Sequence, residues 1–534
     1  MSEPAAVVSR PAGADGVAAG PARRWWVLGV VGLAQLMVVL DATIVNIALP
    51  SAQRALTFSN ADRQWVVTAY SLAFGGLLLL GGRLSDLVGR RRMLIIGLIG
   101  FAAASALGGA ATNFAFLVIG RGAQGAFGAM LAPAALSTLT TTFTDPAERG
   151  KAFGVYGAIA GAGGAVGLLL GGVLTEYLSW RWCLYVNVAL AVVAVAGAVR
   201  LLERHPRDPD VYIDWPGAVL VGAGLVAVVY GLSEADTAGW GALSTDVLLS
   251  GGVVLLAAFV LAERRVPHPL LPLRIALNRF RGGAYLAIGL SAIGIFGIFL
   301  FLTYYLQLTL GYSPVTTGLA FLPMIAGIIA SSTTSSGALM PRFGPRPLVP
   351  AGLLAASGGL VLLATQLGLH TSYPSQILPA LVLTGIGLGL VFGCAISAAT
   401  YGTDPADAGV ASALVNTNQQ VGGSIGTALL NTIAASALTS YLVAHGHSPL
   451  ALAQAAVHSY VVGFWVSAGV LAGSAVVCAL VLPSGTLAAS PAVGPAASPA
   501  AGLEAGIAVE PAVGSAVEPA AGLTAVIHQG DERP

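Results

Sequence analysis

Fourteen apolar segments, most of them near twenty residues long, recur along this chain with short polar breaks between them. They fall near residues 25–49, 65–81, 93–111, 114–136, 152–174 and 182–202, then 216–232 and 247–262. Six more lie near 283–306, 318–339, 348–367, 376–397, 421–442 and 459–482. At about 1.5 Å per helical residue, roughly twenty residues cover the hydrocarbon core of a bilayer. Lipid offers no water to the backbone, so each segment must bond its own N–H and C=O groups, as a helix does. Composition agrees, with 56% of 534 residues hydrophobic and only 9% charged, against about 25% charged in soluble domains. The expected fold class is therefore an all-α integral membrane protein with about fourteen transmembrane helices.

Arginine placement sets the expected orientation, because cytoplasmic loops carry the excess of basic residues. With the N-terminus inside, the inner loops hold Arg23, Arg24, Arg83, Arg90, Arg91, Arg92, Arg149, Lys151, Arg200, Arg264, Arg265, Arg342 and Arg346, among others. The outer loops keep Arg54, Arg63 and Arg181. Both termini are expected in the cytoplasm, with the chain in the plasma membrane. The apolar run after Arg23-Arg24 is too long for a signal peptide and lacks an evident small-residue cleavage site, so it reads as an uncleaved first helix.

An internal echo divides the chain. Gly82-Arg-Leu-Ser-Asp86-Leu-Val-Gly89-Arg90-Arg91, after the second segment, is matched by Gly337-Ala-Leu-Met-Pro341-Arg-Phe-Gly344-Pro345-Arg346, after the tenth, at an offset of about 255 positions. Parallel repeats of this kind mark transporters built from two related halves. Eight segments separate the echoes, so two were inserted between six-helix halves. The expected domains are a disordered N-terminal tail at 1–24, a first six-helix bundle at 25–205, two inserted helices at 206–270, a second bundle at 271–482 and a tail at 483–534. That last tail is Ala/Pro/Gly/Ser-rich and cannot bury enough surface to offset its ordering entropy.

Several function classes have no support. A formal net charge of +1 gives no argument for nucleic acid. Cys183, Cys394 and Cys478 stand far apart in apolar surroundings, and the seven histidines show no ligand spacing, so no disulfide framework, metal site or cofactor is expected. No nucleophile–base pair or nucleotide loop appears. No catalytic residue is assigned.

One carboxylate lies inside the first segment. Asp41 sits about eight residues before Leu49, roughly 12 Å below the outer exit. An acid near a helix centre costs about 2.5–3.5 kcal/mol on insertion scales, so its default reading is a functional group facing a cavity. The plainer reading is a buried aspartate tied to a neighbouring helix. Arg121, in the fourth segment and running inward, reaches similar depth, roughly 10 Å below the outer boundary. Arginine stays protonated, so it can stabilise a carboxylate without itself carrying a transported proton. Its plainer reading is a structural link to helix carbonyls.

Asp86 and Arg90, at the inner boundary with Gly82 and Gly89, read as a gate that can cap a helix end or pair across the halves. Plain positive-inside topology accounts for part of Arg91 and Arg92. Gly163, Gly167 and Gly171 repeat small-xxx-small spacing, as do Gly385/Gly389/Gly393 and Gly422/Gly426, which lets helix backbones meet closely in lipid. In the ninth segment Phe299, Tyr304 and Gln307 are candidates to line a substrate cavity, although an aromatic belt explains those near the outer end equally well.

Leu40-Asp41-x-Thr43-Ile44-Val45-Asn46-x-Ala48-Leu49-Pro50 is similar to the first-helix signature of the 14-helix drug:H+ antiporter branch of the major facilitator superfamily. Gly82 to Arg92 resembles that superfamily's motif A, and Arg121-Gly-Ala-Gln124-Gly125 its motif B. Gly163-Gly164-Ala-Val-Gly167-Leu168-Leu-Leu-Gly171-Gly172 resembles the antiporter motif C, with Leu168 where the family usually has proline, and Asn187 also stands where proline is common. The resemblance covers about residues 25–482. It implies a major facilitator fold, proton coupling through Asp41, Arg121 and Gln124, and helix packing through Gly163, Gly167, Gly171 and Gly172. The function expected is proton-driven export, by alternating access, of neutral or singly charged lipophilic molecules such as antibiotics, by a protein that works as a monomer. The alternatives are a proton-coupled importer of a small metabolite and a non-transporting membrane sensor of the same fold.

Overall fold

Backbone groups that must bond internally give a structure made of long helices. The computed structural model describes residues 21–59, 62–203, 214–267, 269–400 and 408–483. Its first six helices are α1 (Pro21–Leu56), α2 (Gln64–Val88), α3 (Arg90–Gly109), α4 (Phe114–Thr142), α5 (Pro146–Tyr177) and α6 (Trp182–Leu201). Two follow, α7 (Trp215–Thr237) and α8 (Leu243–Glu263). The last six are α9 (Arg279–Tyr304), α10 (Pro314–Thr334), α11 (Pro345–Gln366), α12 (Leu378–Thr400), α13 (Ala408–His445) and α14 (Pro449–Val481). Thirteen of these are long and apolar enough to cross a membrane, and α5 adds the shorter apolar stretch Ala162–Tyr177. Short connections make successive helices antiparallel. The end from which α1 starts is called the near end, and the end where α1 passes into α2 the far end.

Helix starts are chemically marked. Asn113, Asp214, Asn278, Ser313 and Ser448 each accept a backbone N–H from the first turn of the helix that follows, which satisfies a donor that has no carbonyl one turn back. Proline opens α10, α11 and α14, where its missing N–H removes nothing. The two echoed glycines occupy matching places. Gly89 (φ 95°) separates α2 from α3, and Gly344 (φ 71°) precedes α11, both in the backbone region that glycine enters without steric cost.

The first six helices pack mainly among themselves, as do the last six, while α8 pairs with α7, and α7 lies against α2 and α13. Leu72 of α2, Leu225, Val229 and Leu232 of α7 and Ala428 of α13 share one apolar cluster. Gln64 Nε2 donates to Ser233 Oγ at 2.7 Å, and Thr432 Oγ1 to the Leu232 carbonyl at 2.9 Å. The inserted pair thus spans the seam between the two groups.

Three boundaries differ clearly from expectation. The first helix was expected to end at Leu49, but it runs through Pro50 to Leu56. Proline removes one intrahelical bond and bends a helix without obliging it to stop. The last two helices begin earlier, at Ala408 and Pro449, because polar turns at a membrane boundary remain good helix formers. The expected N-terminal tail lies outside the described residues up to position 20, and the C-terminal tail from 484 onward.

Candidate functional site

Five helices of the first group converge on Asp41. Its Oδ2 accepts from Arg121 Nη1 of α4 at 2.5 Å, and its Oδ1 accepts from Gln124 Nε2 of α4 at 2.9 Å and Asn187 Nδ2 of α6 at 2.8 Å. Arg121 and Gln124 are three residues apart, so one helical face presents both. Ser105 of α3 bonds Gln124 and lies 3.3 Å from Asn187 Nδ2. Arg121 Nε donates to the Val66 carbonyl of α2 at 3.0 Å, and its guanidinium carbon stands 4.4 Å from the centre of the Tyr70 ring. Asp41 and Arg121 are 0% and 1% exposed.

Chemically the set is one-sided. All three side chains on the Asp41 oxygens are N–H donors, which suits a carboxylate and leaves no acceptor for a carboxylic O–H. A buried pair of this kind repays its desolvation only when the remaining donors and lone pairs are also matched. Arg121 Nε is met by Val66 and Nη1 by Asp41 and Gln124, with the Tyr70 ring beside the guanidinium. A void of about 10 Å³ touches Arg121, bounded by Val45, Leu49, Leu117 and Leu184, at the lower limit of what one water needs.

Close approach of α4 to α2 depends on Gly125. A Cβ at Gly125 would collide with the Tyr70 carbonyl, and one at Gly128 would sit 2.9 Å from the Phe74 ring. Because α1 continues to Leu56, Asp41 lies fifteen residues from its far end, while Arg121 is seven residues from the start of α4. The two still meet, and α1 runs eight residues (15 − 7) further past the pair than α4 does.

The remaining sequence-selected residues fall elsewhere. Gly163, Gly167 and Gly171 line α5 against α1: a Cβ at Gly171 would lie 2.9 Å from the Ile44 carbonyl, and one at Gly167 would strike Thr43 Oγ1. Gly172 faces the second group, 2.7 Å from Pro314 O on the same measure. Gly82 and Gly89 sit at the near end of α2, and Arg90 begins α3. The Asp86 side chain lies outside the described residues. Next to it, Arg83 Nη2 donates to the Pro269 carbonyl at 2.9 Å, tying this turn to the stretch after α8.

Phe299, Tyr304 and Gln307 are not grouped around Asp41. Phe299 is buried against Phe321, with ring centres 5.1 Å apart. Tyr304 donates to Gln53 Oε1 of α1 at 2.6 Å, and Gln307 Nε2 to the Ile47 carbonyl at 3.0 Å. Glu176 of α5 accepts the Val315 N–H at the start of α10 at 3.0 Å. These bonds tie the two groups together at the far end.

Sequence reasoning missed Asn187, Ser105 and Tyr70 as members of the Asp41 cluster. Asn187 was noticed only as a departure from proline. Its signal was an amide inside an apolar segment, five residues past Trp182 and so near the depth of Arg121.

The sequence profile of the Major Facilitator Superfamily matches residues 31–427. The chain is 53% identical over 470 residues to the puromycin resistance protein pur8 of Streptomyces alboniger, covering 88% of this chain and 93% of that one. It is 41% identical to the cephamycin export protein CmcT of Amycolatopsis lactamdurans, over 76% of this chain and 83% of that one. It is 36% identical to the tetracenomycin C resistance and export protein of Streptomyces glaucescens, over 79% of each. Among solved structures it superposes on the POT family transporter PepTSo with a TM-score of 0.62 at 17% identity, over 86% of this chain and 97% of that one. A bacterial homologue of the human lysosomal transporter Spinster, inward-facing and unoccupied, gives a TM-score of 0.59 at 16% identity, with the same two shares.

Proposed function

This chain belongs to the Major Facilitator Superfamily, and from that premise we propose that it exports hydrophobic antibiotic-like molecules in exchange for protons, with Asp41 as the exchanging acid. Membership makes it a transporter and not an enzyme. Relatives named for puromycin, cephamycin and tetracenomycin resistance or export support the cargo class and the outward direction. The basic residues of the near-end loops support a cytoplasmic near end and a plasma-membrane location.

The observation that carries the reading is the Asp41 cluster: a carboxylate inside the membrane, met by three N–H donors and no acceptor. With the far end tied by Tyr304 and Gln307, Asp41 is matched as an anion and has given its proton to the cytoplasmic side. Cargo entering from that side competes for the same electrostatic site. Opening the far end parts the two six-helix groups, lets water and a proton reach Asp41, and so removes the charge that held Arg121. Each ligand then biases one two-state equilibrium, which is sufficient for antiport. Gln124 and Asn187 orient the carboxylate, and Arg90 with its neighbours forms the lock at the cytoplasmic end. The monomer contains the whole site, so one chain suffices.

The test is drug and proton flux in energised inverted vesicles, wild type against Asp41→Asn. Wild type takes up drug and releases lumenal protons when drug is added. The variant binds drug but shows no drug-induced proton release. Full proton-driven uptake by Asp41→Asn would remove Asp41 from the mechanism.

A further inference from the structure

A second buried cation stands at the far end, outside the Asp41 cluster. Arg63 caps α2 yet reaches α13, where its Nε donates to Asn431 Oδ1 at 3.0 Å. Its guanidinium carbon lies 4.5 Å from the centre of the Tyr304 ring and 5.8 Å from that of Phe301. Tyr460 lines the cavity that adjoins Arg63. Arg63 is 5% exposed, and among the described residues no carboxylate comes within 4 Å of it. A buried arginine without a counter-charge is costly, and most of its five N–H donors remain for something else.

A cavity of about 270 Å³ adjoins it, lined by Arg63, Asn431, Tyr460, Leu308, Leu369 and Leu438. Arg63 can only donate, so its bond to Asn431 fixes Oδ1 as the acceptor and turns Nδ2 the other way. That Nδ2 is buried and has no hydrogen-bond partner, although Asn431 is only 1% exposed. Arg63 supplies the donors of the polar wall, Asn431 holds its guanidinium in place, and the leucines supply an apolar body. The volume sits just below the roughly 300 Å³ where ligand pockets begin, so it suits a ring-sized molecule.

We propose that this pocket binds a small organic carboxylate, its oxygens on the Arg63 guanidinium and its apolar body against the leucines. A guanidinium fork meets a carboxylate with two parallel N–H···O bonds, which a neutral amide or an ammonium cannot reproduce. The site is distinct from Asp41, where Arg121 already has its carboxylate. It does not rest on the export reading, since equilibrium binding requires no transport.

The experiment is equilibrium binding of radiolabelled benzoate to the full-length protein in lipid nanodiscs, with benzamide and benzylamine as competitors of the same size. Wild type binds benzoate saturably, benzamide competes weakly, and benzylamine does not compete. Arg63→Gln, with its melting curve recorded, weakens benzoate binding by about tenfold or more. Ala456 of α14 also lines the cavity; Ala456→Phe fills it while leaving Arg63 in place, abolishes binding, and carries the test if Arg63→Gln does not fold. The proposal is overturned by absent saturable binding in wild type, by equal competition from benzylamine, or by wild-type affinity in either folded variant.

Discussion

The Tyr304 hydroxyl donates to Gln53 Oε1 at 2.6 Å, joining α9 to the part of α1 that lies beyond Pro50. Residues 251 positions apart thus form one of the ties between the two six-helix groups. Such a bond contributes about 0.5–1.5 kcal/mol net, enough to move a two-state equilibrium severalfold. Tyr304→Phe is expected to populate the far-open state more. In a background lacking Cys183, Cys394 and Cys478, a cysteine replacing Ala52 should react several times faster with an impermeant maleimide added from the far side. An unchanged rate would detach Tyr304 from closure.

Asp41 and Arg121 form a pair whose halves are expected to depend on each other. Removing one partner of a buried pair costs about 3–5 kcal/mol, because the other charge is left without compensation. Asp41→Asn and Arg121→Gln should each lower the melting temperature of the purified protein clearly. The double variant should melt closer to wild type than the sum of the two losses. Additive losses would mean that the pair contributes no coupling to stability.

Asn187 is expected to matter more than its neutral side chain suggests. Asn187→Leu removes one of three donors to a buried carboxylate, and a hydrogen bond to a charged group contributes about 1.5–3 kcal/mol. Initial rates of drug uptake into inverted vesicles should fall about tenfold or more. Asn187→Gln, which keeps the amide at a longer reach, should recover part of the rate. Wild-type rates in Asn187→Leu would show that Arg121 and Gln124 orient Asp41 unaided.

Packing of α5 on α1 gives a contrast within one motif. A Cβ at Gly167 would strike Thr43 Oγ1, whereas one at Gly164 meets nothing within 4 Å. Overpacking a tight interface costs about 1–3 kcal/mol. Gly167→Val should sharply reduce the yield of monodisperse protein in detergent, and Gly164→Ala should leave it near wild type. Equal yields would rule out close α1–α5 contact at this level.

Helix number and type were legible in the sequence because lipid imposes one rule on every segment. Asp41 and Arg121 stood out for the same reason, as charges where charges are costly. Asn187 and Ser105 did not, since neutral polar residues in a span carry a weaker signal and their neighbours come from distant helices. Tyr304 and Gln307 were read as candidates to line a substrate cavity, and their bonds to Gln53 and Ile47 could not be foreseen. Those depend on α1 continuing past a proline that, read by itself, resembles a stop. Arg63 was assigned to an outer loop, and nothing local to it announces Asn431, which is 368 positions away.

The hairpin formed by α7 and α8 has a consequence for any molecule that approaches from within the membrane. It stands in front of the α2–α13 seam, so a molecule diffusing sideways out of the leaflet meets a double wall on that flank. The opposite flank, where α5 meets α10, is pressed shut at Gly172 and Gly318 with no space for a side chain. A lateral opening between α5 and α10 at this level would require those two helices to move apart.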